Sequence, residues 1–128
     1  MALKFLRCPV CGNIVGVVEE NGGVVSCCGQ PMKELVANTV DASQEKHVPV
    51  YEFVGNNKIV VRVGSIPHPM TPEHHISWIA IKTKMGAQRK VICDKEEAKV
   101  CFLFCEHDQV EEIYEYCNLH GLWKTEVK

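Results

Sequence analysis

The cysteines and histidines of this chain are the residues equipped for chemistry. Cys8-Pro9-Val10-Cys11 is followed, after 15 intervening residues, by the adjacent pair Cys27-Cys28. A Cys-x2-Cys segment puts two sulfurs on one tight turn. Gly12, directly after it, lets the backbone fold beneath them so that N–H groups face the thiolates. A second pair on a neighbouring turn completes four sulfur ligands, the donor set of zinc or of a single iron. The adjacency of Cys27 and Cys28 is the difficulty. Neighbouring residues of an extended chain point to opposite faces, so both reach one ion only where the backbone bends sharply, and Gly29 offers that freedom. On spacing alone, structural zinc and redox iron stand level.

Five further candidates are spread along the rest of the chain: His47, His68, His74, Cys117 and His120. Whether they can act together depends on the elements that carry them. Residues 1–36 hold the four-cysteine unit. Short strands are expected there at 14–19 and 24–26, around the hairpin signal Asn21-Gly22-Gly23. A segment this short cannot bury enough apolar surface by itself, so it needs its metal to fold. Residues 37–44 are small and polar and read as a linker. Residues 45–128 show strand alternation, with strands expected at 49–54, 58–63, 75–83, 89–93, 99–105, 110–116 and 122–126. A short helix is the competing reading of 108–116. Seven short strands over this length predict a β-sandwich of immunoglobulin-like type, so the fold class is mainly β.

Strand parity then gathers the candidates. If successive strands reverse direction, His47 precedes the first strand, His68 follows the second and His74 precedes the third. Two further down-and-up excursions bring Cys117 back to the same end, where His120 sits in the turn before the last strand. Four imidazoles and one thiolate suit a redox-capable metal such as iron rather than magnesium or calcium. Five protein ligands also exceed the four of structural zinc. Pro49, Pro67 and Pro69 stiffen the loops that carry these residues.

Composition narrows the function classes. The chain has 128 residues, 8 Cys and 6 His, with 14 Lys+Arg against 16 Asp+Glu for a formal net charge of −2. That balance argues against a broad basic nucleic-acid surface. An apolar fraction of 46% is that of a folded protein rather than a disordered one. No apolar run approaches the roughly 18 residues that span a bilayer, and the first residues are too short an apolar stretch for a signal peptide. A reducing, cytoplasmic location is therefore expected, where thiols bind metal rather than form disulfides. Cys93, Cys101 and Cys105 remain over and read as buried inert thiols, with a third metal site near His107 the less favoured reading. His75 is expected to face away from His74, His107 to lie on the surface, and Trp78 and Trp123 to serve in packing.

Several motifs together resemble the desulfoferrodoxins, the two-iron class of superoxide reductases. Cys8-x2-Cys11 with Cys27-Cys28 is similar to the desulforedoxin unit. Glu45-Lys46-His47-Val48-Pro49, Gly64-Ser65-Ile66-Pro67-His68-Pro69-Met70, Glu73-His74 with Trp78, and Cys117-Asn118-Leu119-His120-Gly121-Leu122-Trp123-Lys124 are similar to the catalytic domain. They span nearly the whole chain in family order, while 84–109 carries none of them. The resemblance implies a desulforedoxin or rubredoxin-like domain over 1–36 and an immunoglobulin-like catalytic domain over 45–128. It implies two iron ions, one held by Cys8, Cys11, Cys27 and Cys28. The other has His47, His68, His74 and His120 in a plane and Cys117 on the axis, with backbone N–H groups of the Leu119–His120 turn tempering the sulfur charge. The implied activity is one-electron reduction of superoxide to hydrogen peroxide, with Lys46 attracting the anion and Glu45 able to occupy the vacant position once product leaves. The implied partners are superoxide, an external electron donor such as rubredoxin and a second copy of the chain in a homodimer; no nucleic acid or membrane partner is expected. The competing functions are a superoxide dismutase, a non-enzymatic iron electron carrier and a zinc-ribbon interaction module.

Overall fold

The computed structural model describes residues 2–92 and 97–128. Cys93, including its place at the end of the expected strand 89–93, lies outside the described residues. The chain forms two compact units, Met1–Val36 and Ala37–Lys128.

The first unit is built from two small sheets. Strand β1 (Phe5–Arg7) is central between β2 (Ile14–Gly16) and β5 (Lys33–Glu34), and β3 (Ser26–Cys27) pairs with β4 (Gln30–Pro31). The expected hairpin across Asn21-Gly22-Gly23 does not form, because its two flanking strands have other partners: β2 pairs with β1 and β3 with β4. The tight turn lies instead at Cys28-Gly29, with φ of 53° and 73°. Two successive residues with positive φ are the requirement of a two-residue type I′ hairpin. The bend that lets adjacent cysteines converge is thus made by Cys28 itself as well as by Gly29.

The second unit opens with a four-residue helix, α1 (Gln44–His47), which strand alternation did not foretell. Seven strands follow: β6 (Pro49–Val54), β7 (Lys58–Val63), β8 (Ile76–Thr83), β9 (Gly86–Val91), β10 (Lys99–Leu103), β11 (Val110–Cys117) and β12 (Gly121–Glu126). They form one sheet of order β10-β7-β6 and another of order β12-β11-β8-β9, and every pairing is antiparallel. The stretch 108–116 is therefore strand over most of its length, not helix. Residues Ile59, Val61 and Val63 of β7 point inward against Ile79, Ile81, Phe102 and Ile113, all buried. Lys58 and Arg62 alternate with them toward solvent, the period-2 pattern of a half-buried strand.

Residues 37–44 are not a free linker. Asn38 is in the left-handed region (φ 61°). Its N–H donates to Leu122 O, its Nδ2 donates to Lys124 O and its Oδ1 accepts from Lys124 N–H. These bonds lay the segment along β12. The reversal of successive strands has the expected consequence: the start of β6, the end of β7, the start of β8, the end of β11 and the start of β12 share one end of the sandwich.

Candidate metal centres

In the first unit, Cys8, Cys11, Cys27 and Cys28 bring their sulfurs within 4.8 Å of one another. Cys11 Sγ lies 3.7 Å from Cys27 Sγ, which lies 3.9 Å from Cys28 Sγ. A tetrahedral ion with sulfurs about 2.3 Å away holds them about 3.8 Å apart, so the cluster has the dimensions of a tetrathiolate site. The N–H groups of Val10 and Cys11 both donate to Cys8 Sγ at 3.4 Å, and that of Asn13 donates to Cys11 Sγ at 3.4 Å. The Cys11 N–H, followed by that of Val10, brings the Cys8 thiol down to about 6. Hydrogen bonding of the Cys27 thiol to Cys8 and then to Cys11, followed by burial, pushes Cys27 up to about 12. Cys8 is buried, whereas Cys11 and Cys28 are exposed.

The second cluster joins His47, His68, His74 and Cys117, whose ligating atoms also lie within 4.8 Å of one another. His120 completes it, with Nδ1 3.0 Å from His47 Nε2 and 3.9 Å from Cys117 Sγ. The four imidazoles form a ring. Neighbouring centroids are 4.7 Å apart for His47–His68, 4.6 Å for His68–His74, 5.0 Å for His74–His120 and 4.8 Å for His47–His120. The opposite pair His47–His74 is 6.4 Å apart and nearly parallel. Cys117 Sγ is 3.5 Å from His68 Nε2 and 3.9 Å from His120 Nδ1. The sulfur thus contacts imidazoles at two opposite corners of the ring.

The tautomers test whether this cluster fits a metal. His47 Nδ1 lies 2.6 Å from Ser43 O, and His68 Nδ1 lies 2.7 Å from Pro69 O. A carbonyl oxygen only accepts, so each Nδ1 carries the proton and donates, which leaves Nε2 as a bare lone pair. Those two Nε2 atoms face each other at 3.1 Å. Nitrogens about 2.1 Å from an ion and at right angles are spaced about 3.0 Å, so a shared cation relieves the repulsion without rearrangement. Extra protons do not relieve it. Burial holds His68 at about 4 and also lowers His47 and His74, with neighbouring imidazoles and the Lys46 charge adding to the effect at both of these. His74 Nε2 is buried and has no hydrogen-bond partner. Such an orphaned nitrogen needs a ligand to satisfy it.

The supporting contacts are specific. Gly64 (φ 79°) brings its backbone under α1, where an added Cβ would meet Glu45 O at 2.6 Å. Its N–H donates to Val48 O and the Ile66 N–H donates to Glu45 O. Trp123 stacks on His47 with centroids 5.0 Å apart, and its Nε1 donates to His120 O. Burial raises the Cys117 thiol, while N–H groups of Leu119 and His120 act to lower it. Glu45 and Lys46 precede His47 on α1 with exposed side chains.

The remaining candidates fall elsewhere. The His75 ring turns to Thr71 O, with Nδ1 2.9 Å away. His107 is exposed beside Glu106. Trp78 stacks on Tyr116. Cys101 and Cys105 are exposed, not buried as their strand suggested. Phe102 takes the inward position on β10, so Cys101 must face out, and Cys105 lies past the end of the strand. Sequence reasoning also passed over Glu115, which is fully buried with both carboxylate oxygens unpartnered and whose acid burial holds well above the usual carboxylate range. Its alternation with Ile113 and Cys117 was the available signal.

The profile of the family described as Desulfoferrodoxin matches residues 39–126, and that of its N-terminal domain matches residues 2–35. The chain belongs to the desulfoferrodoxin family. The desulfoferrodoxin of Syntrophotalea carbinolica is 44% identical over 97% of this chain and 96% of its own. The protein of Pyrococcus horikoshii named superoxide reductase is 37% identical over 76% of this chain and 97% of its own. Among solved structures, the superoxide reductase of Treponema pallidum superposes with a TM-score of 0.82 at 39% identity, covering 98% of this chain and all of that one. The N-terminal profile falls on the first compact unit and the main profile on the second.

Proposed function

We propose that this desulfoferrodoxin is a superoxide reductase with two irons. One would be held by Cys8, Cys11, Cys27 and Cys28, and the other by His47, His68, His74, His120 and Cys117. The ring of four imidazoles, with the Cys117 sulfur against two opposite members, is the observation that carries the reading. Superoxide, one electron and two protons become hydrogen peroxide. Iron bound by the second set of residues would supply that electron.

The chain's own groups do the rest. Leu119 and His120 N–H groups favour the Cys117 thiolate against the cost of burial. Ser43 O and Pro69 O fix the rings of His47 and His68, so the ligand set is arranged in advance. Lys46, beside His47 and exposed, draws in the superoxide anion and raises its local concentration. Glu45 precedes it on the same short helix, and its exposed carboxylate would shield the site once product has left. Both protons come from solvent, which reaches the half-buried His74 and His120.

The stoichiometry requires an external one-electron donor, for which a small carrier such as rubredoxin is suited. The exposed sulfurs of Cys11 and Cys28 give such a donor its contact with the first iron. A homodimer and a cytoplasmic location complete the proposal. Among the described residues, no helix is long and apolar enough to cross a membrane. Metal analysis with visible and EPR spectra of the oxidised and reduced protein tests the assignment. Two irons per chain with two distinct signatures, tetrathiolate and histidine–thiolate, are expected. A chain that takes up only zinc under iron-replete anaerobic conditions would overturn it.

A further inference from the structure

Asn118 follows Cys117 in the turn to β12. Its N–H donates to His75 O at 3.1 Å. Its side-chain Oδ1 accepts from the His75 N–H at 2.8 Å, and its Nδ2 donates to Glu73 O at 2.9 Å. Three hydrogen bonds from one residue therefore grip the main chain on both sides of His74. The last rung of the β11–β8 ladder is Cys117–Ile76, after an irregularity at Tyr116. Residues 73–75 consequently lie beyond the sheet, and Asn118 carries the pairing past its end.

The grip matters because of how His74 is held. Its own N–H and C=O are engaged within a local turn: the N–H donates to Thr71 Oγ1 at 3.0 Å, and the Thr71 N–H donates to His74 O at 2.9 Å. Its Nε2 has no partner at all. His47 and His68 have a carbonyl behind each ring to aim it, at Ser43 and Pro69. The direction of His74 is set from its main chain, and the Thr71 turn alone does not register that main chain against Cys117. The Asn118 side chain does.

We propose that Asn118 is a positioning residue that holds the His74 imidazole at ligating distance from the Cys117 sulfur. It acts through His74 and touches neither metal nor substrate. The inference rests on His74 and Cys117 being ligands of the second iron, as proposed above. An asparagine that merely stabilised an exposed turn would change folding stability without changing how tightly the folded protein holds its metal.

The test is equilibrium competition for ferrous iron between the full-length protein and a chelator of known affinity. Occupancy of the second site is read from its own histidine–thiolate spectrum. Asn118→Ala removes both side-chain bonds and is expected to weaken iron binding at that site about 10- to 100-fold, the usual cost of losing a group that orients a ligand. Asn118→Asp keeps the acceptor for the His75 N–H, loses the donation to Glu73 O and is expected to fall between. In a His74→Ala background, Asn118→Ala is expected to cost nothing further, since the residue it acts through is gone. Unchanged affinity in Asn118→Ala, or an equal loss with and without His74, overturns the proposal. If His74→Ala itself leaves affinity unchanged, the ligand assignment fails and the proposal with it. Should Asn118→Ala not fold, the same cycle run with Asn118→Asp gives the same decision.

Discussion

Replacing Gly64 by alanine tests how α1 presents His47, Lys46 and Glu45. The position has φ 79°, and a Cβ there would lie 2.6 Å from Glu45 O, 2.7 Å from Ile66 O and 2.7 Å from Lys46 C. An L-residue in the left-handed region costs about 1–2 kcal/mol. Atoms ordinarily touch at about 3.5 Å, so the methyl intrudes on three main-chain atoms that cannot rotate aside. Forcing such a shift adds about 1–3 kcal/mol. The bonds Gly64 N–H to Val48 O and Ile66 N–H to Glu45 O span the same contact and are each worth about 1 kcal/mol. With both bonds lost as well, Gly64→Ala should therefore cost about 4–7 kcal/mol. Gly55 is the control: φ is 66°, and nothing lies within 4 Å of an added Cβ. Gly55→Ala should cost only the backbone term, about 1–2 kcal/mol. Urea unfolding of both variants at equal metal loading gives the difference, and the spectrum of the second site reports any shift of His47. A Gly64→Ala protein within about 0.5 kcal/mol of Gly55→Ala, with an unaltered spectrum, would refute the close packing of this turn against α1.

Three other outcomes are expected. Burial raises the Glu115 acid well above its ordinary 4.5, so the folded state keeps a proton that the unfolded chain gives up. Stability from this group is full below 4.5 and falls as pH rises, by about 1.4 kcal/mol per pH unit while the buried acid stays neutral; unfolding curves of native protein and Glu115→Gln at several pH values should diverge at that slope, and parallel pH dependences would count against it. Cys8→Ser should unfold the first unit while sparing the second site's spectrum, because a segment of this size folds with its metal; amide NMR or limited proteolysis reads the loss, and a protected first unit would contradict it. Lys46→Ala should slow the second-order reaction with superoxide about 10-fold at low salt and less at high salt; pulse radiolysis at two ionic strengths measures it, and a deficit independent of salt would rule out electrostatic attraction as the role of Lys46.

The convergence of the two candidate clusters was legible because it depends on local spacing and on strand parity. Cys8 and Cys11 share one turn, and the second set of candidates follows from counting strand reversals, a count that tolerates errors of a few residues in strand ends. The seven-strand sandwich was legible for the same reason. What escaped depends on partners distant in sequence. Pairing of β3 with β4 rather than β2 decides where the first unit turns. Asn38 is joined to Lys124, 86 residues away. The exposure of Cys101 follows from which face of β10 takes Phe102, and alternation alone does not say which face is inward. Glu115 went unnoticed because a glutamate on a strand is ordinarily outward, although it shares a face of β11 with Ile113 and Cys117, and β8 and β12 flank it. Gly64 and Asn118 hold ligand loops through contacts that no spacing announces.

Reduction of superoxide, rather than dismutation or electron carriage alone, is what the stoichiometry of this protein must show. Pulsed superoxide delivered to the fully reduced full-length protein, with peroxide and oxygen both quantified, tests it most directly. One peroxide is expected for each superoxide consumed, with no oxygen evolved and turnover that stops once the protein's electrons are spent unless a reductant is supplied. Oxygen appearing in proportion to peroxide, with turnover sustained in the absence of any donor, would contradict it.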